Sequence, residues 1–218
     1  MRLRVKVQEG AMKIAAGILF GLLTLLAQGH WCADAQAPSS ESSANSFDES
    51  GKTNVDGKTV SYLIRRLPAD SFPDLPESVS NMLNGRGCLI PQTYQAHRPE
   101  NVIHASFDRP GSSDWAVLCS AHGTVELLVF FSRIPGKAML VASAPELERI
   151  QKHGATAEYG FDWGIDPVSP KQVREAQSGL KRPGSRVDHD ALAATILDQK
   201  TTYYFHTDGQ WTKLDVSD

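Results

Sequence analysis

The sequence predicts an α+β domain built mainly on an antiparallel β-meander with a few short helices, and three observations predict it. Segments 101–107, 114–120 and 124–131 are consecutive β-prone stretches separated by short breakers. Segments 202–206 and 210–214 flank Asp208-Gly209, a hairpin signal because both turn positions tolerate positive φ. Val79, Met82 and Leu83 recur at helical spacing ahead of Gly85 and Gly87, so a helix precedes the meander.

The elements follow in order. Segment 60–64 is short and β-prone, and Pro73 and Pro76 introduce the helix. Arg109-Pro110-Gly111-Ser112-Ser113 turns the first meander strand into the second, and Ala121-His122-Gly123 turns the second into the third. In that third strand Val125, Leu127, Val129 and Phe131 share one face, while Leu128 and Phe130 share the other with Glu126. Both faces are largely apolar, so the strand is expected to be central and covered on both sides, with the early helix as one cover. Segment 139–142 adds a further strand, and 146–152 reads as a short helix.

Ahead of this domain stands an export profile. Residues 14–27 are apolar, small or Thr, and Arg2, Arg4, Lys6 and Lys13 precede them. The run is shorter than the roughly 20 residues that cross a bilayer. Small residues at Ala33, Ala35 and Ala37 suit a signal peptidase, so residues 1–35 are expected to be a signal peptide, begun at Met1 or Met12 and cut after Ala35. Cutting after Ala37 would put Pro38 first, where its fixed ring suits a peptidase cleft poorly. Cys32 follows Gly29, His30 and Trp31, too bulky for a lipid-attachment site. Residues 36–54 carry Ser39, Ser40, Ser42, Ser43, Ser46 and Ser50 with few apolar side chains, and read as a flexible tether. Residues 55–218 are left as one globular domain, secreted or periplasmic, with no transmembrane anchor after signal cleavage.

Lys and Arg number 22 against 25 Asp and Glu, a formal charge of −3. Neither sign dominates, so no nucleic-acid partner is implied. With Cys32 removed, Cys88 and Cys119 form the even pair expected in an oxidising compartment, and a disulfide between them is expected.

Chemistry-bearing patterns are sparse. Asp188-His189-Asp190 would make an acid/base cluster if a carboxylate oriented His189, but a solvated turn before Leu192 has the same residues. His104 and Ser106 project from one strand face without a third group. Ser178-Gly179-Leu180-Lys181 matches S-x-x-K in a Gly/Pro-rich stretch without the K-T-G that accompanies it in penicillin-recognising enzymes. H-E-x-x-H, G-x-S-x-G and the phosphate-binding loop are absent from the sequence. No cofactor is implied. Tyr203, Tyr204, Phe205 and Trp211 concentrate aromatic area in the last hairpin; core packing is the default reading, and the alternative leaves one face carrying Tyr204 and Trp211 open as a binding platform.

Residues Ala105-Ser106-Phe107-Asp108, Gly111, Asp114, Trp115-Ala116-Val117-Leu118 and Gly123-Thr124-Val125 resemble one unit of the FG-GAP type of β-propeller repeat. That resemblance spans 105–131 and implies an Asp/Gly loop able to hold calcium, with Asp108 and Asp114 as candidate ligands. Arg109 and Pro110 stand where the family offers further Asp, Asn or Gly, and two carboxylates fall short of the six to eight oxygens calcium takes. The chain also resembles uncharacterised exported bacterial proteins with a Gly-Cys before the meander and a Tyr/Gly/Trp hairpin at the end, a resemblance that implies no activity. The expectation is a non-enzymatic binding domain for an envelope protein or polymer. Its rivals are a small hydrolase using Asp188, His189 and Asp190, and a structural envelope component.

Overall fold

A computed structural model describes residues 47–154, 158–178 and 186–216. The expected signal peptide lies outside them. Strand β1 (Glu49–Val55) turns through Asp56 (φ 49°) and Gly57 (φ 76°) into β2 (Lys58–Ile64), with which it pairs antiparallel from Glu49↔Ile64 to Val55↔Lys58. The expected tether is therefore corrected at its end: residues 49–54 are a strand. Polar composition misleads here because β1 gains its stability from backbone pairing and from Tyr62, whose hydroxyl donates to Glu49 at 3.1 Å.

A two-residue strand β3 (Arg66–Leu67) pairs with β4 (Ile90–Pro91), and between them lies helix α1 (Glu77–Gly85), led in by Pro76 as expected. Strands β5 (Val102–Ala105), β6 (Asp114–Ala121), β7 (Thr124–Phe130) and β8 (Ala138–Pro145) then run as the expected antiparallel meander in sheet order β5-β6-β7-β8. β7 is covered on both faces. Val125, Leu127 and Val129 enter the main core, while Leu128 and Phe130 join Val117, Cys119 and the α1 residues Val79 and Leu83 in a second cluster.

The expected helix at 146–152 is corrected. One 3-10 turn (Glu146–Glu148) leads directly into β9 (Ile150–His153), which pairs antiparallel with β10 (Glu158–Phe161). The Ile150↔Phe161 pair belongs to the main core, and that long-range burial outweighs a local helical pattern only two turns long. β10 also pairs parallel with β2, completing a sheet of order β1-β2-β10-β9.

The last sheet is a second meander: β11 (Trp163–Val168), β12 (Ala191–Ile196), β13 (Lys200–Thr207) and β14 (Gln210–Val216), with helix α2 (Pro170–Ser178) between β11 and β12. The expected hairpin is present, its turn made by Asp208 (φ 54°) and Gly209 (φ 79°). The three four-stranded sheets share one core. Tyr62, Ile64 and Phe161 meet Ala116, Leu118 and Leu127, and both groups meet Ile165, Leu192 and Ala194. The other face of the last sheet, including Ala193 and Phe205, packs with Val173 of α2. The described chain is thus a β-rich α+β domain, predominantly antiparallel, as its sequence predicts. Among the described residues no helix is long and apolar enough to cross a membrane.

Candidate functional site

The β5–β6 turn is organised by Asp114, which is fully buried. Its Oδ2 accepts from the backbone N–H groups of Phe107 and Asp108, each at 3.0 Å, and from the Ser112 hydroxyl. Its Oδ1 accepts from the Ser132 N–H at 2.8 Å and the Ser132 hydroxyl at 3.1 Å. Five donors converge on one carboxylate, so the loop that resembles a calcium turn is closed by the protein's own N–H and O–H groups. Asp108 is likewise engaged: Arg133 Nε donates to its Oδ2 at 2.6 Å, and its Oδ1 faces His206 Nδ1 at 3.5 Å. No grouping of three or more His, Cys, Asp or Glu side chains with metal-binding geometry occurs among the described residues. Asp108 and Asp114, the candidate ligands that the resemblance implies, thus both accept from the protein's own hydrogen-bond donors.

Asp108 and the Asp188-His189-Asp190 cluster, far apart in the chain, meet in space. The Asp190 N–H donates to the Ser106 carbonyl at 2.9 Å, and the Ser106 N–H donates to Asp190 Oδ2 at 3.0 Å. This reciprocal pair ties segment 186–190 to the end of β5. The two segments and the β13–β14 turn enclose an open cleft of about 430 Å³. Arg109, Arg133 and Arg186 rim it, while His189 and His206 form part of its wall with Asp108 and Asp188.

His189 is buried. Its Nε2 donates to the His206 carbonyl at 2.8 Å, and its Nδ1 lies 3.1 Å from Asp188 Oδ1. Both ring nitrogens have partners and Asp190 is held by the Ser106 backbone, so the residues weighed as an acid/base cluster or a solvated turn link segment 186–190 to β13 and to the end of β5. Burial lowers the His206 pKa from its ordinary value, and Asp108 opposes that shift without cancelling it. Burial pushes the Asp108 carboxyl up, but the hydrogen bond and charge of Arg133, helped by His206 and Arg109, hold it below the ordinary carboxylate range.

Arg133 is the best positioned of the three guanidiniums. Its Nε is fixed by Asp108, and its Cζ stands 5.4 Å from the Phe131 ring centroid. Neither of its terminal nitrogens has a hydrogen-bond partner among the described residues. Arg109 and Arg186 are exposed and form no ion pair among the described residues. Sequence reasoning missed all three arginines, because an isolated Arg in a polar loop has no spacing signal; only Arg109 adjoins a residue it singled out.

The other expected sites fall elsewhere. Trp211 is half-buried: its ring centroid lies 5.3 Å from that of His206 and 6.0 Å from that of Phe131, and its indole N–H is buried without an acceptor among the described residues. Tyr204 also packs against the main core and, like Trp211, is half-buried, so the face weighed as a binding platform is partly covered. The reason is that β13 is an internal strand with a packed layer on each side. His104 pairs with Ser113 (2.7 Å) and stacks on Trp115, whereas the Ser106 hydroxyl donates to the Ser112 carbonyl. Ser178 donates to the Glu175 carbonyl, and the rest of the S-x-x-K match lies outside the described residues. Cys88 and Cys119 are bonded to each other, their Cα atoms 5.3 Å apart, a pairing suited to an oxidising compartment. Comparison with family models, with curated proteins and with solved structures finds no match for this chain.

Proposed function

We propose that this is a secreted or periplasmic, non-enzymatic binding domain that docks an oxyanion-bearing envelope polymer or protein in the arginine-rimmed cleft. The observation that carries the reading is Arg133. Its Nε is committed to Asp108 and its Cζ stands over the Phe131 ring, so the guanidinium is held in place with its terminal N–H groups left for a carboxylate, sulfate or phosphate. Of the three acidic residues that line the cleft, Asp108 is engaged by Arg133 and Asp188 by His189, while Asp208 lies exposed in the β13–β14 turn. Arg109 and Arg186 then add charge on the same rim. The apolar run at 14–27 and the Cys88–Cys119 pair support an extracytoplasmic setting.

The test is retention of the purified protein on immobilised polygalacturonate and dextran sulfate. The chain's net charge of −3 provides no general attraction to a polyanion. Retention at 50 mM salt is expected on at least one matrix, with Arg133→Gln and Arg186→Gln each eluting at clearly lower salt. Arg186 is exposed and unpaired among the described residues, so its variant keeps the wild-type melting temperature. Flow-through of the wild type on both matrices, or wild-type elution of a folded Arg186→Gln, would overturn the reading.

A further inference from the structure

We propose that a second, smaller cleft, between β8 and the β12–β13 face, binds a single-ring carboxylate. It is independent of the arginine-rimmed site, since the two linings share no residue. The cleft measures about 220 Å³, below the range that holds drug-sized molecules and suited to one substituted ring. Half-buried Tyr204 supplies aromatic surface, the core residue Trp163 reaches the same wall, and Ala144 and Ala194 stand where larger side chains would fill the space.

The electrostatics select the sign of the ligand. Arg149 and Lys200 line the cleft, and no Asp or Glu does. Neither cation forms an ion pair among the described residues. Arg149 Nε is buried without an acceptor among the described residues, an unmet donor on a residue that lines a ligand-sized space. The nearby acid is Asp162, itself buried, which interacts electrostatically with Arg149 without forming an ion pair to it. A ring stacked on aromatic surface with its carboxylate turned toward Arg149 and Lys200 satisfies both features. Aromatic acids and uronic acids share that chemistry.

Calorimetric titration of the purified protein with benzoate and with glucuronate, each against its neutral counterpart benzyl alcohol or glucose, tests the assignment. At least one acid is expected to bind at least tenfold more tightly than its counterpart. Lys200→Met, at an exposed position, is expected to weaken it about tenfold, and Ala144→Leu to abolish it. Lys200→Met should keep the wild-type melting temperature, and both variants should stay folded at 25 °C and keep their retention on polyanions. Preference for benzoate over glucuronate identifies an aromatic acid, and the reverse a sugar acid. Equal binding of acid and neutral counterpart, an unchanged affinity in Lys200→Met, or no heat from either acid at 10 mM would overturn the proposal.

Discussion

Arg66, in β3, donates from Nε and Nη2 to the two carboxylate oxygens of Glu146, 80 positions later in the chain. The Glu146 side chain is almost wholly buried, and its Oε1 also accepts from the Ser120 hydroxyl at 2.6 Å. Arg66 reaches Glu49 of β1 as well. The Arg66–Glu146 pair therefore ties the short β3–β4 pair to the 3-10 turn that follows the meander, where its solvent competition is low.

Breaking that pair leaves Arg66 without its buried counter-charge. Glu146→Ala is expected to destabilise the protein by about 3 to 5 kcal/mol. Urea unfolding checks it, and a cost within 1 kcal/mol would mean that water reaches the pair. Glu146→Gln, which keeps the hydrogen-bonding shape without the charge, is expected to cost less than Ala.

The Cys88–Cys119 bond joins the segment after α1 to β6, and Leu89 and Ser120 exchange two backbone hydrogen bonds beside it. With a sequence separation of 31, its reduction is expected to remove about 3 to 4 kcal/mol in the chain-entropy account. Non-reducing intact mass of the oxidised protein should lie about 2 Da below the reduced value. Equal masses, or unchanged urea midpoints after reduction, would contradict the bond.

Much of this fold was legible because the strands that make it alternate cleanly and end in strong turns. The β5–β6–β7 meander and the β13–β14 hairpin follow from apolar periodicity plus His122-Gly123 and Asp208-Gly209. The β1–β2 hairpin carries the same dipeptide, Asp56-Gly57, but its β1 side chains are polar, so composition concealed it. β12 was missed because Ala191, Ala193 and Ala194 have little β signature, although long-range pairing buries them. The candidate site was legible only in fragments. Asp108 and His189 stood out by residue type, but their meeting depends on the Ser106–Asp190 backbone pairing, which no local pattern announces.

Asp162 gives the protein a pH-dependent element of stability. It is almost fully buried, and its Oδ1 has no hydrogen-bond donor among the described residues. Burial raises its pKa from 3.8 to about 6, against a partial opposing effect from Arg149. The folded state therefore holds this proton more tightly than the unfolded chain does. Its contribution to stability is full below pH 3.8 and is lost as pH rises through about 6. Asp162→Asn is expected to flatten the stability profile across that window and to exceed the wild type at pH 7. Urea midpoints from pH 4 to 8 decide it, and parallel profiles for the two proteins would count against the assignment.

Trp211 distinguishes a core residue from a binding platform. Its cross-strand partner is His206, and its ring packs beside Phe131, so the side chain closes one end of the main core next to the arginine-rimmed cleft. Removing a large, half-buried aromatic leaves a cavity that the strand pair cannot collapse into. Trp211→Ala is expected to cost about 2 to 4 kcal/mol, somewhat less than a fully buried aromatic. Trp211→Phe keeps most of the apolar area and removes the buried, unpaired indole N–H, so it is expected to cost under about 1.5 kcal/mol. Thermal and urea unfolding of the two variants measure the difference. A Trp211→Ala protein as stable as wild type would return this residue to the surface and reopen the hairpin as a docking face.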